Sequence, residues 1–248
     1  MPRYKLVLEY DGGGLVGWQR QANGLSVQEI LETAVERFCG RTLVVHGAGR
    51  TDAGVHALAQ AAHVDLPKES PADVIRNALN QHVKPHAVSV LAVSRVAENF
   101  DARRSARGRV YRYRILNRRA PASLARGRVW HVGSALDIAA MQDGAKLLLG
   151  KHDFSSFRDS MCQARSPVKT LDALDVICAG EEIVVEARAR SFLHHQVRNM
   201  VGSLKLVGAG KWRAQHIAEA LAACDRRAGG PTAPAEGLYL VEVIYADS

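Results

Sequence analysis

The amino-acid sequence predicts an α+β protein made of two ferredoxin-like halves, each with the order βαββαβ and a mostly antiparallel sheet. In the first half, segments with alternating apolar residues indicate strands, and two segments with apolar residues at helical spacing lie between them. In the second half a similar order of elements recurs, without a residue-by-residue repeat.

The first half begins with a strand-like alternation, and its first helix has both of its ends marked. Ser26 and Glu29 form a capping box, and Gly40 follows the last apolar residue at helical spacing. The predicted elements are strands over 4–10, 42–46, 59–66 and 87–96, and helices that begin at residue 26 and at residues 70–71.

The second half is predicted to start inside a basic segment. The boundary is expected near residues 100–108, which gives an N-terminal domain 1–104 and a C-terminal domain 105–248, with an arginine-lined cleft between them. The predicted elements are strands over 109–117 and 238–245, a hairpin over 170–178 and 182–190, and helices over 136–149, 194–207 and 214–224.

The positive charge of the chain is concentrated in one segment. The net charge is +8, and between Asp101 and Arg119 there are eight arginines and one aspartate over 19 residues. Tyr111 and Tyr113 alternate with these arginines, a pattern typical of a nucleic-acid groove. The alternative is a charged strand that faces solvent.

Composition excludes several classes of protein. With 248 residues, 47% hydrophobic and 23% charged, the chain has the composition of a globular protein rather than a disordered one. No apolar run reaches the roughly 18–20 residues of a membrane span, and no secretory signal begins the sequence. We therefore expect a cytoplasmic protein with no membrane partner.

Neither cysteines nor histidines are spaced as metal ligands. Cys39, Cys162, Cys178 and Cys224 form no C-x-x-C pair and are expected to be reduced and buried. His194 and His195 are adjacent, so on a helix their side chains would diverge by about 100°. We expect neither a metal nor an organic cofactor.

A glycine-rich loop follows the first strand. Gly12, Gly14 and Gly17 match the dinucleotide pattern G-x-G-x-x-G, but the next helix begins too late for its N-terminus to face a pyrophosphate. The alternatives are a flexible turn and a loop that approaches a ligand closely.

A second glycine-rich segment contains a carboxylate beside a guanidinium. Three glycines, at positions 47, 49 and 54, surround Arg50-Thr51-Asp52, and glycine permits the close backbone approach that presents a side chain in a cleft. A neighbouring arginine would keep Asp52 ionised. The alternative is an Asx-turn with a surface ion pair.

Polar residues also open the apolar helix predicted over 194–207. Gln196, Arg198 and Asn199 would be costly to bury without partners, so either they face solvent or this helix end lines a polar site. In the second case Arg198 is a candidate partner for Asp52.

These motifs together carry a family resemblance, which extends from residue 4 to residue 245. The chain resembles the A-type tRNA pseudouridine synthases in Tyr10-Asp11-Gly12, Gly17-Trp18-Gln19, Gly49 to Ala57, Phe100 to Arg103 with Ser105-Ala106, Tyr111-Arg112-Tyr113, His152 to Phe157, Ser191 to Gly202 and Ala233 to Leu240.

The resemblance implies an activity and a partner. It implies isomerisation of uridine to pseudouridine in the anticodon stem-loop of tRNA, at tRNA positions 38, 39 and 40, without cofactor or metal. It also implies a homodimer in which one tRNA contacts both subunits, and two ferredoxin-like halves.

The same resemblance implies residue roles. Asp52 matches the catalytic aspartate, which acts as a nucleophile at the sugar or the base, or as the base that starts a glycal route. Arg198 matches the arginine that pairs with it. Tyr111 matches the residue that stacks on the target base and, in one hypothesis, assists proton transfer. Arg50 matches a residue associated with insertion into the base stack as the nucleotide flips.

Two segments depart from the family pattern. Leu15-Val16 stands where an aromatic residue is usual, and Val83-Lys84-Pro85-His86 replaces a Leu-Pro-x-Asp turn. The competing hypotheses are a non-catalytic protein that binds structured RNA and, on the first glycine loop alone, a dinucleotide-dependent oxidoreductase.

Overall fold

The computed structural model describes residues 1–246, and the chain divides into two compact units. The first contains Met1–Arg107 and the C-terminal segment from Tyr239 on, and the second contains Gly108–Leu238. The strands and helices, in chain order, are β1 (Arg3–Tyr10), α1 (Val27–Cys39), β2 (His46–Gly47), β3 (His56–Asp65), α2 (Ala72–His82), β4 (Val88–Val96), β5 (Gly108–Asn117), β6 (Trp130–Val132), α3 (Ile138–Lys146), β7 (Gly150–Asp153), β8 (Val168–Ala179), β9 (Glu182–Ala189), α4 (Gln196–Gly208), α5 (Gln215–Ala223) and β10 (Leu238–Ile244).

The first unit has the strand order of a ferredoxin-like sheet. β4 pairs with β1, β1 with β3 and β3 with β2, and all of these pairs are antiparallel. β10 adds to this sheet in parallel to β3, through Tyr239 opposite His56 and Leu240 opposite Ala57. The predicted order βαββαβ is confirmed for this unit.

Helix α1 forms where its end signals predict. Ser26 Oγ accepts a hydrogen bond of 3.2 Å from the Glu29 N–H, which satisfies one of the free amide groups of the first turn. Gly40 ends the helix in the left-handed conformation, with φ of +70°. The apolar face of α1 is buried in the unit, through Val27, Ile30, Leu31, Ala34 and Val35.

The strand predicted over 42–46 is wrong for most of its length, because only His46–Gly47 is a strand. The backbone of Val45 bonds to side chains of α1 instead of a neighbouring strand. Its N–H donates to Glu32 Oε1 at 3.2 Å, and its carbonyl accepts from Gln28 Nε2 at 3.3 Å.

The second unit contains five paired strands. β5 pairs with β9, β9 with β8 and β8 with β7, all antiparallel, and β6 pairs with β5 in parallel. The predicted hairpin is β8–β9. The strands β6 and β7 are not among the predicted elements, and α3 is shorter than predicted because Asp137 caps its start and Gly150, with φ of +95°, begins β7.

The strand pairing within the two units confirms the predicted α+β class, because most of the pairs are antiparallel. Among the described residues, no helix is both long enough and apolar enough to cross a membrane. The prediction that the cysteines are buried is wrong. All four are unbridged thiols, but Cys39 and Cys162 are partly exposed and Cys178 and Cys224 are exposed.

Candidate active site

Asp52 begins a tight turn in the first unit. The Val55 N–H donates to the Asp52 carbonyl at 3.1 Å, and Gly54 has φ of +78°, as the third position of a type II turn requires. Asp52 is partly exposed, whereas Thr51 and Val55 on either side are buried. A carboxylate therefore reaches the surface from a backbone that is fixed on both sides.

The first glycine-rich loop holds this turn. The Trp18 N–H donates to the Thr51 carbonyl at 3.0 Å, and the Gly54 N–H donates to the Leu15 carbonyl at 3.3 Å. A Cβ on Gly17 would lie 2.5 Å from the Thr51 carbonyl oxygen, so only glycine fits there. Gly17 therefore approaches the backbone of the Asp52 loop closely.

A cluster of buried polar side chains forms hydrogen bonds with the residues that precede this turn. Tyr10 Oη and Thr51 Oγ1 are 2.8 Å apart, and Gln60 Nε2 donates to the Gly49 carbonyl at 3.0 Å. Burial raises the pKa of the Tyr10 hydroxyl to about 12, against the opposing effect of its hydrogen bonds to Thr51 and Gln60. Tyr10 is therefore neutral at physiological pH, and its hydroxyl holds Thr51 in place by a hydrogen bond.

His56 anchors the chain just after the Asp52 turn. It is buried and stacks on Tyr239 with ring centroids 4.7 Å apart. Its Nδ1 accepts from the Gly12 N–H at 3.1 Å and lies 3.0 Å from Asp11 Oδ1. Arg50 is exposed in the same loop as Asp52, so the structure places these two predicted residues together.

Tyr111 and Arg198 belong to the second unit. Tyr111 lies on β5 opposite Ala187 of β9 and is partly exposed. Its ring meets the Phe192 ring edge to face, at a centroid distance of 5.2 Å and an angle of 88°. This contact fixes the orientation of the tyrosine ring.

Arg198 is held to a loop that crosses α4. Its Nε donates to the Ala233 carbonyl at 2.8 Å, and the Ala233 N–H donates to the Arg198 carbonyl at 3.1 Å. Next to it the Tyr113 hydroxyl donates to the Pro234 carbonyl at 2.7 Å. Burial raises the pKa of Tyr113, an effect that the charge of Arg198 opposes.

Two further polar residues near the start of α4, Gln196 and Asn199, are buried rather than exposed to solvent. Asn199 is buried, donates to the Phe157 carbonyl at 2.9 Å and accepts from the Thr232 hydroxyl at 2.7 Å. Gln196 Oε1 accepts from the Leu193 N–H at 2.8 Å. The predicted alternative in which they face solvent is therefore wrong for these two residues, which are both buried.

The two adjacent histidines precede α4 rather than lie on it. His195 has φ of +61°, and its ring lies beside that of His194 at a centroid distance of 4.0 Å, tilted by 35°. Asp159 lies against both, 2.8 Å from His195 Nδ1 and 3.6 Å from His194 Nδ1. The predicted divergence of these side chains is wrong, because the left-handed residue turns the chain before the helix starts.

Asp159 was not identified from the sequence, since no motif or spacing connects it to the histidines 35 and 36 positions later. Burial raises the pKa of its carboxyl, but the Met161 N–H and the two imidazoles outweigh burial and leave it below its ordinary value.

Part of the basic segment is neutralised by carboxylates. Arg112 pairs with Glu186 at 3.0 Å. Two further pairs are Arg114–Glu182 at 2.6 Å and Arg118–Glu181 at 2.8 Å. The exposed arginines of the segment are Arg103, Arg104, Arg107 and Arg119. The charge available to a polyanion is therefore smaller than the sequence indicates.

Comparison with known proteins identifies the family. The family model described as tRNA pseudouridine synthase matches residues 7–103 and 145–246. The chain belongs to this family. The family consists of isomerases that convert uridine to pseudouridine. Arg50, Asp52 and Arg198 lie inside the matched ranges, and Tyr111 lies between them.

Relatives match along the whole chain. The protein named tRNA pseudouridine synthase A from Paramagnetospirillum magneticum is 62% identical over 248 residues, which cover 100% of this chain and 97% of the relative. Proteins of the same name from Rhodospirillum centenum and Methylocella silvestris are 62% and 55% identical, and each alignment covers 100% of the relative and at least 99% of this chain.

Proposed function

We propose that this protein isomerises uridine to pseudouridine in the anticodon stem-loop of tRNA, at tRNA positions 38, 39 and 40, with Asp52 as the catalytic carboxylate. The observation that carries the proposal is the partly exposed Asp52 on a turn held by Trp18, Leu15 and Tyr10. A carboxylate whose backbone is held by several hydrogen bonds is suited to a reaction that needs fixed geometry.

The reaction conserves the atoms of the nucleotide. The bond from N1 of uracil to the sugar breaks, the base turns, and C5 bonds to the same sugar carbon. C5 loses its proton and N1 gains one, so the reaction balances without a second substrate. Asp52 acts as a nucleophile at the sugar or the base, or removes a sugar proton to start a glycal route.

Three further residues are proposed to act with Asp52. Tyr111 stacks on the target uracil, a role supported by its partly exposed ring and the contact that orients it. Arg198 supplies the cation that pairs with the catalytic carboxylate. Arg50, exposed in the Asp52 loop, enters the base stack as the nucleotide flips, a step that costs a few kcal/mol.

We further propose that the protein acts as a homodimer in the cytoplasm. The support is the family resemblance, in which one tRNA contacts both subunits. Sedimentation of the full chain with and without tRNA tests the assembly: a monomer that binds one tRNA and turns over normally would contradict it.

The first experiment measures tritium release from tRNA transcripts labelled at uracil C5. The wild type should release tritium, whereas Asp52→Asn should release none and should bind tRNA within a few-fold of the wild type. The reason is that phosphate contacts, which dominate affinity, come from arginine and lysine side chains rather than from Asp52.

A melting curve of Asp52→Asn is the control for folding. Loss of tRNA binding and activity together, with an unchanged melting temperature, would contradict the catalytic role. Salt-sensitive binding without tritium release by the wild type would favour the alternative of a non-catalytic protein that binds structured RNA.

Tyr111→Phe separates stacking from proton transfer. The phenylalanine keeps the ring and its contact with Phe192 but lacks the hydroxyl. Turnover near that of the wild type would assign stacking alone to Tyr111, and a fall in the single-turnover rate at saturating tRNA would assign the hydroxyl a part in proton transfer.

A further inference from the structure

A groove of ≈ 530 Å³ lies between the C-terminal part of α2 and strand β4 in the first unit. Its cationic side chains are Arg76 on α2 and Lys84 on the turn that follows, and His86 of this turn also lines the groove. This turn is the segment that departs from the family pattern. Neither aspartate nor glutamate is among the residues that line the groove.

The cations of the groove bond to neutral groups. Arg76 donates through Nε and Nη2 to Asn77 Oδ1, both at 3.2 Å, and Lys84 Nζ donates to Gln81 Oε1 at 3.2 Å. Within residues 1–246, neither Arg76 nor Lys84 forms an ion pair with a carboxylate. This contrasts with Arg112 of β5, whose charge is compensated by Glu186. The groove therefore keeps its positive charge.

The walls of the groove are fixed to one another. Asn80 on α2 donates through Nδ2 to the Val90 carbonyl at 2.9 Å and accepts from the Val90 N–H at 2.8 Å. Since β4 lies at the edge of the sheet, this pair also occupies backbone groups that an added strand would use. The groove is therefore preformed. Because the Val90 backbone groups are already bonded to Asn80, we expect a charged ligand here rather than an added β-strand.

The groove opens at the end of the sheet that carries the Asp52 loop. Val88, which lines the groove, lies opposite Tyr10 in the β1–β4 pair, and the Tyr10 hydroxyl contacts Thr51. Two strand spacings, roughly 10 Å, separate β4 from β3. A polynucleotide with one base at Asp52 can therefore place neighbouring phosphates near β4.

We propose that this groove binds the phosphodiester backbone of the RNA substrate, next to the nucleotide that reacts at Asp52. The proposal rests on the proposed function, because it needs an RNA substrate. Arginine and lysine side chains are the usual partners of RNA phosphates, and such contacts set affinity and position without reading sequence. The groove contributes to substrate binding and not to the chemical step.

The test is tRNA binding by the full chain with the double substitution Arg76→Gln and Lys84→Gln. The dissociation constant should rise on the order of tenfold at about 0.1 M salt, and the slope of log affinity against log salt should fall by about 1 to 2. The single-turnover rate at saturating tRNA should stay at the wild-type value.

The matched control is the double substitution Arg37→Gln and Arg41→Gln. These two cations are exposed, belong to the same unit and lie at the end of α1, outside the groove. The control removes the same charge, so equal losses of affinity in the two double variants would overturn the proposal.

Inorganic phosphate tests whether the groove binds the phosphates of RNA or a small free anion. If phosphate raises the melting temperature of the wild type but not of the groove variant, while both bind tRNA equally, the groove takes a small anion and the RNA proposal is wrong. Failure of the wild type to release tritium would contradict the proposed function, whereas normal release with unchanged binding by the groove variant would contradict the groove alone.

Discussion

The Tyr10 hydroxyl and the Thr51 hydroxyl lie 2.8 Å apart in the buried interior of the first unit. Tyr10 belongs to β1, and Thr51 immediately precedes Asp52 in the chain. Because both side chains are buried, neither hydroxyl can exchange its partner for water. The position of the candidate catalytic carboxylate is therefore set by the core of the sheet.

Tyr10→Phe should weaken both stability and turnover. It leaves the Thr51 hydroxyl without this partner, which costs about 1–3 kcal/mol of unfolding free energy for a buried polar group. The loosened loop should lower the single-turnover rate by about tenfold, because small displacements of a reacting group are costly. Denaturant unfolding and tritium release at saturating tRNA measure the two effects.

Tyr4→Phe is the matched control for this prediction. Tyr4 lies on the same strand, is equally buried, and donates to the Ser70 carbonyl at 2.9 Å, far along the chain from Asp52. A similar loss of stability with an unchanged rate is expected. Equal losses of rate in the two variants would show that turnover follows stability and not the Tyr10–Thr51 contact.

Gly17→Ala should lower the reaction rate strongly, because it displaces the backbone of the Asp52 loop. The new Cβ would lie 2.5 Å from the Thr51 carbonyl oxygen, at a φ of +104° that alanine rarely adopts, so the Asp52 loop must move. Gly14→Ala, at φ of +77° with open space around it, carries backbone strain of about 1 kcal/mol but no collision. We expect at least a hundredfold lower rate for Gly17→Ala.

The two glycine variants are compared by tritium release and by far-ultraviolet circular dichroism. Gly14→Ala should keep most of its activity. If both variants lose activity equally while both remain folded, the close approach of Gly17 to Thr51 has no special part in holding Asp52.

The predictable parts of the fold are those whose signals are local in sequence. Ser26, Glu29 and Gly40 mark both ends of α1, and the alternation on either side of Ala179 and Gly180 marks the β8–β9 hairpin. The prediction of a strand over 42–46 was wrong because side chains of α1 form hydrogen bonds with the Val45 backbone. An alternation of apolar and polar residues does not show whether side chains or a neighbouring strand will bond to the backbone.

In the candidate site, too, only the features that are local in sequence could be predicted. The Arg50-Thr51-Asp52 loop can be recognised from the sequence because its glycines are close to one another. The position of Asp52, partly exposed between the buried residues Thr51 and Val55, agrees with that pattern. The carboxylate partners of Arg112, Arg114 and Arg118 lie 63 to 74 positions away, so a basic segment alone could not show that these charges are compensated. Tertiary contacts of this kind decide the charge that a ligand meets.

Asp159→Asn should destabilise the protein in a pH-dependent way. The Asp159 carboxyl contacts both His194 and His195, and its pKa in the folded state lies below the ordinary 3.8, although burial alone would raise it. A group whose pKa is depressed by folding stabilises the fold above its unfolded pKa, and this stabilisation disappears as the pH falls through the folded value. The difference in unfolding free energy between wild type and Asp159→Asn should therefore be largest near neutral pH and should shrink below pH 3.8.

Urea unfolding of both proteins from pH 7 to pH 2.5 measures this difference. Asp143→Asn is the control, since Asp143 pairs with Lys146 at 2.7 Å on an exposed helix surface, where such a pair contributes about 0–1 kcal/mol. A loss of stability in Asp159→Asn that is equal at every pH would contradict the electrostatic role and would leave only its hydrogen bonds. Asp159 contacts His195, which directly precedes α4 and adopts φ of +61°. Loss of the Asp159 charge should therefore weaken the start of the helix that carries Arg198.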